Sequence, residues 1–280
     1  MTLGTLYVVG TPIGNLEDMT FRAVQTLQNV DLIAAEDTRH TGKLLQHFQI
    51  KTPQISYHEH NRSSRIPELL QKLIHGSAVA LVSDAGMPGI SDPGYELVKA
   101  CVDADIKVVP IPGASAVITA LSAAGLPTDK FVFEGFLPPK TNQRRQRLEF
   151  LNKEPRTIIF YESPHRLRAT LQDLAEVMGT QRSIVIAREL TKFYEEFWRG
   201  TVKDACQHYQ EREPQGEYTI LVAGVTNHTQ LSESQIKAEL EKLISQGIAP
   251  SQASRELALL TSLPRRYIYQ LALDIKDIED

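Results

Sequence analysis

The sequence predicts an α/β protein, with two α/β domains in series and a small helical module at the end. Three observations carry this. Short all-apolar runs such as AVALV (78–82) and TIIFY (157–161) alternate with stretches whose apolar residues recur at helical spacing. That is the pattern of parallel strands covered on both faces by crossover helices. After GLPTD (125–129) the alternation restarts with strands that mix polar and apolar residues more, so a mixed sheet is expected there. Beyond the polar segment TNHTQ (226–230) come three short helical patterns with TSLP (261–264) as a tight turn, which reads as a helix-turn-helix-like module. The expected boundaries are 1–125, 126–226 and 231–280.

Taken in order, TLYVVG (5–10) is an apolar strand that runs into a Gly/Pro turn, TPIGN. Thr20 then N-caps FRAVQTLQNV, where Phe21, Val24 and Leu27 share a face. DLIAA (31–35) is a second strand, PELLQKLIHG (67–76) a helix closed by Gly76, and AVALVS (78–83) a third strand. GYELVKACVDA (94–104) is a helix, IKVVPI (106–111) a fourth strand, and ASAVITALSAAG (114–125) a helix ended by glycine. The second half reads FVFEGF, a charged helix, RTIIFYES, the helix PHRLRATLQDLAEVMG, SIVIAREL, EEFWRGTV and GEYTILVAGV. The tail helices are SESQIKAELEKLISQG, APSQASRELALLTS and LPRRYIYQLAL.

A chain of 280 residues with 42% hydrophobic and 23% charged residues has the composition of a globular protein. Its apolar runs are too short to cross a bilayer and its N-terminus lacks a signal-peptide pattern, so a cytoplasmic protein without a membrane partner is expected. Cys101 and Cys206 form no CxxC, which excludes a disulfide framework and a cysteine zinc site. A net charge of −4 excludes a generic electrostatic nucleic-acid binder and leaves only local basic patches for such a partner.

Chemistry is expected at the carboxyl ends of the first-half strands, where glycine lets backbone approach a ligand. Three loops qualify: GTPIGN (10–15), SDAGMPGISDPG (83–94) and PIPGASA (110–116). None contains Lys or Arg, and neither a Walker motif nor GxGxxG is present. Asp84 and Asp92 would repel a triphosphate and suit a ligand offering hydroxyls, an ammonium or another cation. Asp92, just before Pro93 and a helix, reads as a turn or cap residue; Asp84 reads equally as turn or ligand group.

These and further blocks carry a resemblance. LYVVGTPIGNLEDMTFRA, AEDTRHTG (35–42), SDAGMPGISDPG, PGASA, FEGFLP (133–138), ESPHR (162–166), ARELTK (187–192) and GEYTILV together resemble the ribosomal RNA small subunit methyltransferase I family, a branch of the tetrapyrrole-methylase superfamily. The resemblance spans essentially the whole chain, with Met87, Gly10 and Ala114 standing where threonine, alanine and proline are more usual. It implies a tetrapyrrole-methylase-like two-domain fold with S-adenosylmethionine (SAM) in the cleft, and a homodimer. It also implies 2′-O-methylation of one cytidine ribose, cytidine 1402, in 16S rRNA of the 30S subunit. Gly10, Pro12, Ser83, Asp84, Ala85, Pro88, Ile90, Ser115 and Ala116 would line the donor site from the first domain. Tyr161, Glu162, Arg188, Glu189, Leu190 and Thr219 would close it from the second.

A ribose hydroxyl is a poor nucleophile when neutral, so a proton acceptor is expected near it. Glu162 is placed first and Asp84 second. Glu36, Asp37, Glu59, His60 and His165 are the other candidates. His58 and His60 lack a third spaced ligand, so no metal is expected. KTNQRRQR (140–147) holds Lys140, Arg144, Arg145 and Arg147 without an acid, which points to RNA phosphates, with Arg166 as a further contact. Arg255, Arg265 and Arg266 with Tyr267 and Tyr269 could add charge and stacking in the tail. Two rival readings are a methyltransferase acting on a small tetrapyrrole-like molecule and a non-catalytic RNA-binding assembly factor.

Overall fold

The computed structural model describes residues 2–225, 232–261 and 263–279; the TNHTQ linker lies outside the described residues. Residues up to Gly224 form one compact unit and those from Val225 onward a second.

The first half of the larger unit runs β1 (Thr5–Val9), α1 (Phe21–Asn29), β2 (Leu32–Ala35), α2 (Thr38–His47), β3 (Gln54–Ser56), α3 (Arg62–Ile74), β4 (Ala78–Val82), α4 (Tyr95–Asp103), β5 (Lys107–Ile111) and α5 (Ala116–Ala124). Its strands form a wholly parallel sheet in the order β3-β2-β4-β1-β5. β2 is buried throughout and β4 nearly so, as their unbroken apolar sequences require. Ala23 and Leu27 of α1 and Leu45 of α2 pack on one face, and Leu69, Leu73, Leu97 and Cys101 of α3 and α4 on the other. Chains leaving the neighbouring strands β1 and β4 therefore go to opposite faces, and the crevice between their carboxyl ends is where an open α/β sheet receives a ligand.

The second half runs β6 (Phe131–Phe136), α6 (Thr141–Leu151), β7 (Thr157–Glu162), α7 (Pro164–Met178), β8 (Ser183–Arg188), β9 (Glu196–Thr201), α8 (Val202–Glu211) and β10 (Tyr218–Val222). The sheet order is β6-β7-β10-β8-β9, with β6 and β7 parallel and the other pairs antiparallel: the mixed sheet the alternating sequences predict. α6, α7 and α8 cover one face. α5 was expected to belong with the first sheet, but its Val117, Ala120, Leu121 and Ala124 pack on Ile159, Val185, Ala187 and Leu221 of the second. This helix joins the two sheets.

Three elements escape the sequence reading. α2 begins with polar residues and buries only Thr41, Leu44 and Leu45. β3 is a three-residue edge strand, half-buried at every position, without an alternation to detect. α8 did carry a signal. Thr201 and Asp204 form a capping box, each side chain accepting the other's backbone N–H, and Val202, Ala205 and Tyr209 then fall on one face. α3 also starts at Arg62, five residues before the expected Pro67, which it carries inside its second turn.

Tyr209 is 1% exposed and its hydroxyl meets no partner among the described residues. Burial pushes its phenol pKa well up. A buried hydroxyl without a partner carries a desolvation cost, so Tyr209→Phe is expected to leave stability unchanged or raise it by up to about 1 kcal/mol. Denaturant unfolding checks this; a clear loss would contradict it.

The second unit consists of α9 (Glu233–Ser245), α10 (Pro250–Thr261) and α11 (Arg265–Glu279), the three helices expected of the tail. Ile236, Leu240, Ala253, Leu257, Ile268, Leu271 and Ala272 form its own core. Ser232 and Gln235 close the start of α9 with a capping box.

Candidate active site

Three glycine-bearing loops meet at the carboxyl end of the first sheet. Thr11 and Gly86 exchange both backbone hydrogen bonds, at 2.9 and 3.0 Å, joining loop 10–15 to loop 83–94. Gly10 lies against Gly113 so closely that a Cβ on Gly10 would stand 2.7 Å from the Gly113 Cα, which joins loop 110–116 to the same wall. The third loop then enters α5, and Ser115 and Ala116 face the cleft.

Together with the ends of β7, β8 and β10, these loops enclose a cavity of about 350 Å³. Of the residues expected at the donor site, Ala85, Ile90, Ser115, Ala116, Tyr161, Glu162, Leu190 and Thr219 line it. Asp92 and Glu217 add two carboxylates that the sequence reading had not assigned to the donor site, and no Lys, Arg or His among the described residues lines the cavity. Phe133 and Phe136 hold the Tyr161 ring, with centroids at 4.9 and 5.6 Å. Burial, and behind it the charge of Asp92, raises the Tyr161 pKa.

The other expected residues lie elsewhere. Pro12, Ser83 and Asp84 line a second cavity, of about 270 Å³, with Thr11, His40 and Lys43. The same two paired loops thus divide their residues between two cavities: Ile13, Ala85 and Gly86 face the first, whereas Thr11, Pro12, Ser83 and Asp84 face the second. Gly10 and Pro88 form the backing of this wall and line neither cavity. Arg188 and Glu189 brace the far rim: Arg188 Nε donates to the Gln215 carbonyl at 2.6 Å, and Glu189 accepts from Lys192 at 2.9 Å and from the Glu217 N–H at 3.0 Å.

Of the two expected proton acceptors, Glu162 has both carboxylate oxygens engaged and Asp84 has one. Glu162 is 2% exposed; it accepts from the Thr170 hydroxyl at 2.6 Å and the Ser163 N–H at 2.9 Å, with Arg166 Nε at 3.4 Å. It closes the start of α7. Asp84 accepts the Asp37 N–H at 3.1 Å, while the Asp84 N–H donates to Glu36 at 3.2 Å, which locks the AEDTR and SDAG segments together. Asp37 caps α2 and pairs with Arg39, whose hydrogen bonds hold its carboxyl well below the usual range.

The expectation of uncompensated charge on 140–147 is corrected. Arg144 is 4% exposed and donates to Asp173 at 2.6 Å; Arg145 reaches the other oxygen of Asp173 and also Glu176; Arg147 pairs with Glu134. Their acids come from α7 and β6, distant in sequence. Arg166 is likewise committed, its Nη2 donating to the Leu137 carbonyl at 2.6 Å. Only Lys140 of the five expected RNA contacts makes no ion pair among the described residues.

A family model described as tetrapyrrole (corrin/porphyrin) methylases matches residues 5–206. The ribosomal RNA small subunit methyltransferase I of a Synechocystis species is 60% identical over 276 residues, covering 98% of this chain and 99% of that protein. The protein of the same name from Halalkalibacterium halodurans is 50% identical over 275 residues, covering 96% and 94%. Among solved structures, the uroporphyrin-III C-methyltransferase of Thermus thermophilus in complex with S-adenosylhomocysteine superposes with a TM-score of 0.56 at 16% identity, covering 78% of this chain and 97% of that one. At that identity the likeness concerns the fold.

Proposed function

The chain belongs to the ribosomal RNA small subunit methyltransferase I family of the tetrapyrrole methylases, and from that membership we propose that it methylates the 2′-oxygen of a cytidine ribose in the decoding region of 16S rRNA. The coarser activity is that of a SAM-dependent rRNA methyltransferase.

The observation that carries the reading is the charge of the 350 Å³ cavity, which Asp92, Glu162 and Glu217 line and no cationic side chain among the described residues does. SAM is a nucleoside with a sulfonium, an ammonium and a carboxylate, and no phosphate. Glu217 would face its positive groups. Its carboxylate would suit the start of α5, where Ser115 makes no side-chain cap and the first-turn N–H groups lack intrahelical partners. The start of α7 suits it less, because Glu162 already accepts the Ser163 N–H and Pro164 has none. Tyr161, Leu190 and Ile90 offer apolar surface to the nucleoside.

When bound, SAM supplies an electrophilic methyl group on a good leaving group. The chain's own contribution is then mainly positioning of the acceptor oxygen in line with it, an effect that can supply on the order of 7–11 kcal/mol. Acceptor RNA would be held by Lys140, by the exposed edges of Arg145 and Arg147, and by Arg255, Arg265, Arg266, Tyr267 and Tyr269 of the helical unit.

Transfer of labelled methyl groups to naked 16S rRNA and to 30S subunits, followed by nuclease digestion and mass spectrometry, tests this. The expected product is one 2′-O-methylcytidine. Tight SAM binding without transfer to either acceptor, or a methyl group on a base, would overturn it. Lys140→Ala is expected to weaken RNA binding severalfold, leave SAM affinity unchanged and make the salt dependence of RNA binding shallower by about one charge; an unchanged slope in a salt titration would remove Lys140 from the interface.

A further inference from the structure

The reaction needs a place for the hydroxyl proton, and the geometry of the two cavities points to one residue. Glu162 has both oxygens engaged and an arginine beside it, and Asp84 is held by the Asp37 N–H. Asp92 accepts the Ser83 hydroxyl but no backbone N–H among the described residues, and it lies on the wall of the donor cavity. It is near enough to Glu36 and Asp84 to feel their charge, and near enough to Tyr161 to impose its own. Asp84 lines the second cavity. Asp92 therefore stands where the donor cavity borders its polar neighbour, which Ser83 and Asp84 also line and whose His40 and Lys43 offer hydrogen bonds suited to a phosphate.

We propose that Asp92 is the catalytic base, taking the proton of the acceptor hydroxyl at the junction of the two cavities. The proposal rests on the methyltransferase reading. In the step, the acceptor O–H bond breaks and its proton passes to the Asp92 carboxylate. The oxygen forms its bond to the methyl carbon as the carbon–sulfur bond breaks, and that bond's electron pair stays on sulfur.

Four groups face Asp92 and set its titration. Burial acts first, then the negative charges of Glu36 at the end of β2 and Asp84 after β4; the Ser83 hydroxyl acts in the opposite sense. Tyr161 on β7 is the neutral neighbour from the second sheet. Together they push the Asp92 pKa up to about 6. Glu36 is itself raised, by burial first and by Asp84. At neutral pH Asp92 is still mostly ionised, and it is a stronger base than an ordinary aspartate. It does not need to match the pKa of a free ribose hydroxyl, because the oxygen's proton becomes strongly acidic as the new bond forms.

The test compares wild type with Asp92→Asn. The kcat of methyl transfer to rRNA is expected to fall 10²- to 10⁴-fold, with SAM affinity by calorimetry within threefold. The wild-type kcat/KM should lose a factor of ten per pH unit below about 6, and the residual activity of the variant should lack that limb. A further readout uses the protein without SAM or RNA. A carboxylate whose pKa is raised by folding destabilises the fold when ionised. That cost is absent below its unfolded pKa and fully present above about 6. Asp92→Asn should therefore melt higher than wild type at pH 8 and together with it at pH 3.5.

An active Asp92→Asn enzyme, or a wild-type profile flat down to pH 5, overturns the proposal. So does a loss that appears only as weaker SAM binding, which would make Asp92 an anchor for the donor's cation. If wild type transfers no methyl to rRNA or 30S subunits, the functional reading itself fails and the proposal with it, whereas a transferring wild type beside an equally active variant refutes Asp92 alone.

Discussion

Arg144→Ala is expected to cost about 3–5 kcal/mol of folding stability, the usual penalty for leaving one member of a buried ion pair alone. Arg144 and Asp173 are 4% and 3% exposed at their side chains, and the guanidinium also donates to the Pro139 carbonyl at 3.2 Å. Removing it leaves the Asp173 carboxylate inside the second lobe with Arg145 as its remaining partner, itself 40% exposed. Arg145→Ala removes the outer partner only, so its cost should stay within about 1 kcal/mol, as for a solvent-facing pair. Thermal melts of both variants check the contrast. For a unit of this size the first should lower Tm by on the order of 10 °C, and equal melting points would show that Asp173 does not distinguish its two arginines. Arg144→Ala does not report on RNA contact, since it perturbs the core.

Gly94→Val is expected to weaken SAM binding at least tenfold and to destabilise the first lobe. Gly94 has φ +152° with ψ −38°, and a Cβ there would stand 2.9 Å from the Gly89 nitrogen and 3.2 Å from Leu81 Cδ2. A side chain would thus add a clash to about 1–3 kcal/mol of backbone strain. Relief requires Gly89 and Gly94 to part, and Ile90, Ser91 and Asp92 of the cavity wall lie between them. Gly125→Ala is the control. It has φ +77° but nothing within 4 Å of the added carbon, so it should show the strain cost in a melt and leave SAM affinity alone. Calorimetry with SAM separates the two; full affinity in Gly94→Val would show that the loop tolerates opening.

The cavity of about 350 Å³ was legible because its chemistry sits in contiguous segments. Glycines and carboxylates in SDAGMPGISDPG and PGASA, without lysine or arginine, define a backbone-rich, acidic site wherever the strand ends carry them. The eight expected residues on its wall are loop or strand-end positions of this kind. α8 was also legible in principle, through its capping box, and was missed. α2 and β3 gave little local signal, being polar at the start or short at the sheet edge.

Charge partners were not legible. KTNQRRQR has no acid within its own eight residues, and its neutralisation by Asp173, Glu176 and Glu134 depends on α6 lying against α7 and β6. Asp92 was read as a turn residue because Asp before Pro usually is one, yet its surroundings come from β2, β4 and β7. The sequence by itself determined the strand-and-helix alternation, the mixed character of the second sheet and the phosphate-averse loops, since these follow from residue spacing along the chain. Only the tertiary structure decided which carboxylates are tied down and which one has its pKa raised, because an ion pair or a raised pKa depends on distances between segments that the chain brings together from far apart.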